Sequence, residues 1–107
     1  MDMGEESMGD RGMFMITNLT FERVAMEDTQ ATYEFQGMNG DEPVTGLFEL
    51  NLKRYMELES EGSDEALHHA LYWLSPIQSD AQYWAGMRLF FRIYKHYLEQ
   101  GTYIEQG

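Results

Sequence analysis

The chain has 107 residues, no cysteine and a formal net charge of −12, from 19 Asp and Glu against seven Lys and Arg. That length leaves room for one core, and the lack of cysteine excludes disulfides, thiolate catalysis and cysteine-based zinc sites. So negative a chain repels phosphate backbones and anionic membranes, which argues against direct nucleic-acid binding and membrane association.

The apolar fraction is 43%, with seven Tyr, six Phe and two Trp, which is too rich in core-forming side chains for a disordered chain. The opening "MDMGEESMGD" carries acids where a signal peptide carries Lys or Arg, and no apolar run follows it. A cytoplasmic protein is expected. Residues 1–12 lack apolar periodicity and read as a flexible acidic tail, and residues 13–107 as one domain. "GDRG" can be encoded by purine-rich codons of the kind that precede a bacterial start, so translation from Met13 is one expectation. The tail holds Asp2, Glu5, Glu6 and Asp10 against Arg11, and the body is acidic with or without it.

In "FMITNLTFERV", Leu19 and Phe21 alternate with Thr20 and Glu22, the period-2 signal of a half-buried strand. "TQATYEFQ" repeats the pattern, with Ala31, Tyr33 and Phe35 facing inward and Thr32, Glu34 and Gln36 outward. The short polar "AMEDTQ" between the runs suits a hairpin. Asn39-Gly40 suits a second tight turn. A third strand follows through Val44, Phe48, Leu50 and Leu52. Continued to Glu59 it would reach about 50 Å at ~3.3 Å per residue, so the strand is expected to end near Leu52 and a short helical segment to follow.

"ESEGSDEALHHALYWLSP" reads as a loop and then one helix, with Ser63 as N-cap and a stop before Pro76. Its wheel puts Ala66, Leu67, Ala70, Leu71, Trp73 and Leu74 on one face, and Asp64, Glu65, His68, His69 and Tyr72 on the other. Ser79 and Gln82 have capping-box spacing and open a second, long helix that ends before Gly101. The fold class predicted is α+β: a three-stranded antiparallel β-meander, then two main helices, with the long C-terminal helix packed on the sheet.

The apolar arc of that last helix, Tyr83, Met87, Leu89, Phe90, Phe91, Ile93, Tyr94, Tyr97 and Leu98, spans about twice the ~100° of an ordinary surface helix. Two contact surfaces are needed, either sheet and first helix together or sheet and second protomer, so a homodimer is one expectation. Arg88, Arg92 and Lys95 share a stripe with Trp84. Helix-dipole complementarity, pairing of Lys95 with Glu99 and cover of Trp84 by Arg88 account for these cations without a ligand. The stripe is also a candidate docking surface.

Few residues invite chemistry. His68 and His69 each follow a carboxylate by four positions, but neighbours on a helix diverge by about 100° and no zinc-binding motif accompanies them. Neither a G-x-S-x-G elbow nor a phosphate-binding glycine loop is present. No catalytic, cofactor-binding or metal-binding residue is assigned and no cofactor is expected.

Acids recur on the outward parity of every strand, as Glu22, Glu34 and Glu49. Asp41, Glu42, Glu57, Glu59 and Glu61 would enlarge this patch if they border the same side. The sequence therefore points to a small acidic, non-enzymatic interaction or inhibitor protein with a basic protein partner, of the kind found among accessory proteins of bacteria and phages. An acidic mimic of a nucleic acid is the alternative, and a small enzyme using His68 and His69 a further one.

Overall fold

The structure is a computed structural model and describes residues 16–107. The tail expected over residues 1–12, and the start of the expected first strand at Met13 to Met15, lie outside the described residues. Strand β1 (Ile16–Glu27) turns at Asp28-Thr29 into β2 (Gln30–Asn39), which turns at Gly40-Asp41 into β3 (Glu42–Leu50). Both turns need the left-handed region that Asn, Asp and Gly tolerate: Asp28 has φ 58° and Gly40 φ 63°. Helix α1 (Leu52–Ser60) follows, then a short helix α2 (Ala66–Ala70), strand β4 (Leu71–Trp73) and the long helix α3 (Asp80–Gln100). The sheet is antiparallel throughout, in the order β1-β2-β3-β4.

The α+β class and the C-terminal helix packed on a meander stand as expected. One element differs. The helix read across residues 64–75 is helical only over Ala66–Ala70, after which the chain extends and Leu71, Tyr72 and Trp73 pair with Leu50, Glu49 and Phe48. The free edge of β3 offers unpaired backbone groups, and Leu71 and Trp73 pack against the core while Tyr72 faces out. In so short an apolar run the 3.6 and 2.0 periods cannot be told apart.

Alternation sets the two faces of the sheet. Ala31, Tyr33, Phe35, Val44, Phe48 and Leu50 are buried on one side with Phe21. Helix α3 covers that side with Met87, Leu89, Phe90 and Ile93, and Tyr55 of α1 meets Phe90 and Tyr94 edge-on at 5.1 and 4.9 Å. The second surface that the wide apolar arc requires is thus α1, the segment after Asn51. Trp73 fits only because Gly86 has no side chain: a Cβ there would sit 2.5 Å from the indole ring.

The ends of α3 follow its sequence. Ser79 Oγ accepts from the Gln82 N–H at 3.1 Å, and Gly101, at φ 77°, closes the helix with its N–H on the Tyr97 carbonyl. Beyond it Tyr103 is buried, and residues 105–107 run antiparallel beside β1, with the Phe21 N–H donating to the Gly107 carbonyl at 2.8 Å and the Arg23 N–H to that of Glu105 at 2.7 Å. The middle of the β1 edge is closed by this strip.

Candidate surface for protein contact

Among the described residues no element covers the other face of the sheet, where Thr20, Glu22, Glu34, Gln36, Thr45 and Tyr72 are exposed. Its rows follow from the register: Thr20, Gln36 and Thr45 form one, Glu22, Glu34 and Leu47 the next, and Thr32, Glu49 and Tyr72 a third. Between Gln106 and Gly107 on one rim and Ser75 and Pro76 on the other lies an open trough of about 970 Å³, floored by the first two rows. The second rim is built by hydrogen bonds. The Leu47 carbonyl accepts from the N–H groups of Leu74 and Ser75, and Ser75 Oγ accepts from the Leu47 N–H.

Glu22 and Glu34 are exposed and stand directly opposite each other on β1 and β2. Like charges in that position repel by up to about 1 kcal/mol. Glu49, half-buried, completes the acidic trio on the same face, so the structure brings these three predicted residues together. It separates the others. Asp41 and Glu42 lie at the β2–β3 turn, at one end of the sheet, while Glu57, Glu59 and Glu61 belong to α1 or its cap on the helical side. There Glu57 pairs with Arg54 at 3.5 Å and Glu59 accepts from the Tyr55 and Tyr94 hydroxyls. Burial, reinforced by Glu59, pushes the Tyr55 phenol up to about 12.

The cations of α3 divide into two groups. Arg92 turns toward the sheet and lies over the Phe21 ring at 5.4 Å. Arg88 and Lys95 point away from it, exposed and without an ion pair among the described residues; the Lys95–Glu99 pair is not formed. They alternate with Trp84, Phe91 and Leu98, which are 51%, 54% and 55% exposed. The sequence wheel assigned Phe91 and Leu98 to the apolar arc, but the sheet and α1 fill only its centre. The spacing 84, 91, 98 is the sequence signal that could have set these residues apart.

His68 and His69 are exposed at the end of α2 and border a smaller hollow of about 290 Å³ with Glu49 and Tyr72. Neither forms an ion pair with Asp64 or Glu65 among the described residues, since the helix begins only at Ala66. Among the described residues no three His, Asp or Glu side chains are placed to share a metal ion, and no helix is long and apolar enough to cross a membrane. Comparison of the chain with family models, curated proteins and solved structures gives no match.

Proposed function

We propose that this chain is a non-enzymatic interaction module of the inhibitor or regulator type, which takes a cationic segment of a protein partner on the outer face of its sheet. The observation that carries this reading is the trough, left open by the described residues, in which Glu22 and Glu34 oppose each other. The core lies on the other face, so folding does not need this pair. A Lys or Arg placed between two carboxylates relieves their repulsion and forms charge-assisted hydrogen bonds. Leu47 and Tyr72 add apolar contact beside the acids. That mixture suits a protein segment better than mimicry of a nucleic acid, which calls for an unbroken acidic array.

The test compares wild type with Glu22→Gln/Glu34→Gln, which keeps shape and removes both charges. Partners captured by each from cells of the host are identified, and the leading one is titrated by calorimetry. The expected result is a partner with a basic segment, bound about tenfold or more weakly by the variant, a loss of about 1.4 kcal/mol or greater. The variant should melt no lower than wild type. Equal affinity for both proteins overturns the reading, and a partner displaced by duplex DNA transfers it to nucleic-acid mimicry.

A further inference from the structure

We infer that the acidic trough and the outward stripe of α3 are two halves of one interface, so that copies of this chain associate head to tail, the stripe of one copy lying on the sheet face of the next. The inference rests on the proposed reading of the trough as a docking face for cations, and it names the occupant.

Residues 84, 88, 91, 95 and 98 advance by steps of four and three, which confines them to an arc of about 80° at 100° per residue. The buried Leu89, Phe90 and Ile93 occupy the opposite side of the helix. The stripe is therefore a second contact face, apolar at Trp84, Phe91 and Leu98 and cationic at Arg88 and Lys95. A helix surface of that kind asks for a partner with both apolar groups and acids.

Two stripes facing each other do not supply this, because four cations would crowd one seam with Glu99 as the nearest acid on the helix. The outer sheet face, the trough together with the row of Glu49 and Tyr72 beside it, does supply it. Along the helix Arg88 and Lys95 are about 10 Å apart at 1.5 Å per residue. Glu22 and Glu49, two strands and one register step apart, are about 12 Å apart from standard strand spacings. Between and beside those acids lie Leu47 and Tyr72, the latter 67% exposed.

The stripe and the trough lie on opposite sides of the molecule, since the sheet and α3 meet through their other faces. One copy can therefore use both at once, and the contact does not close on itself. Repulsion between the net charges is screened beyond about 8 Å at physiological salt, whereas contacts formed within the interface are screened less.

The experiment is sedimentation velocity over a concentration series, with folding of every variant checked by circular dichroism. Wild type should grow in mass with concentration and not stop at a dimer. Arg88→Glu/Lys95→Glu, and separately Glu22→Gln/Glu34→Gln, should each associate about tenfold or more weakly. Mixed in equal amounts they should form a 1:1 dimer that goes no further, because one keeps a working trough and the other a working stripe. Phe91→Ala serves as a second stripe variant if the charge reversal perturbs the helix.

A wild type that is monomeric at the highest attainable concentration overturns the inference, as does a closed dimer or a mixture that fails to pair. Association lost in the trough variant but kept in both stripe variants overturns the occupant alone. In that case the trough remains a docking face.

Discussion

Tyr103 does more for the fold than its place near the end of the chain suggests. Its hydroxyl accepts from the N–H of Leu52 at 2.8 Å and donates to the Thr29 carbonyl at 2.7 Å, tying the start of α1 to the β1–β2 turn. The Leu52 N–H is one of the donors that a helix start leaves without an intrahelical partner. Tyr103→Phe strands the buried Leu52 N–H and the partly buried Thr29 carbonyl, so chemical denaturation at pH 7 should show a loss of about 1–3 kcal/mol.

Burial pushes the Tyr103 phenol up to about 12, and burial raises that of Tyr33, which donates to the Ile104 carbonyl, as well. The phenols of the unfolded chain ionise near pH 10. Because the folded state holds its protons more tightly, this stabilisation is complete below about pH 10 and is lost as pH rises toward 12. Melting curves should fall across that window, and less steeply for Tyr103→Phe. None of these partners was legible in the sequence, since Leu52 and Thr29 lie far from Tyr103 along the chain. The same distance hid Arg92's place over Phe21, although the alternation did mark Phe21, Tyr33, Phe35 and Phe48 as core.

Among the elements, the junction from β4 to α3 depends on one buried amide. Gln82 Nε2 donates to the carbonyls of Thr45 at 2.8 Å and Pro76 at 3.1 Å, and its Oε1 accepts from the Gln78 N–H, so sheet, loop and helix start meet at one side chain. The capping box was legible as a spacing, but its second half was not: Gln82 bonds to Gln78 and Thr45 instead of reaching back to Ser79. Gln82→Leu fills the space and satisfies none of the three groups. Denaturation should show a loss of about 1–3 kcal/mol, and hydrogen exchange should quicken at Gln78 well before the core of α3. Unchanged exchange at Gln78 would show that water replaces the amide. The misread helix at residues 64–75 belongs to this scale too. Propensity and wheel favour a helix there, and only the open edge of β3, invisible in a local window, draws Leu71–Trp73 into the sheet.

For the molecule as a whole, 19 acids against seven bases leave most carboxylates without a cation. Arg23–Glu105 and Arg54–Glu57, the ion pairs among the described residues, are partly or well exposed and contribute little. Self-repulsion should therefore outweigh ion pairing. Raising salt from about 0.01 M to about 0.1 M shortens the screening length from about 30 to about 10 Å, and the melting temperature should rise by a few degrees. A fall would mean that attractive pairs dominate.

The acidic sheet face was legible because a strand's period is two and Glu22, Glu34 and Glu49 keep the outward parity. The division of α3 into a buried side and a second exposed apolar side was not. The wheel gives directions around a helix, but how far its neighbours reach depends on the width of the sheet and on α1.

The strip formed by residues 105–107 along β1 has a bearing on how this protein can be handled. Gln106 and Gly107 form part of the rim of the trough, so any polypeptide that continues past residue 107 starts at the edge of the acidic face. A short flexible extension is held there at an effective concentration in the millimolar range. A lysine- or arginine-rich tail, natural or appended, would be a tethered competitor for the cationic occupant proposed for that face, and a purification handle belongs at the other end of the chain.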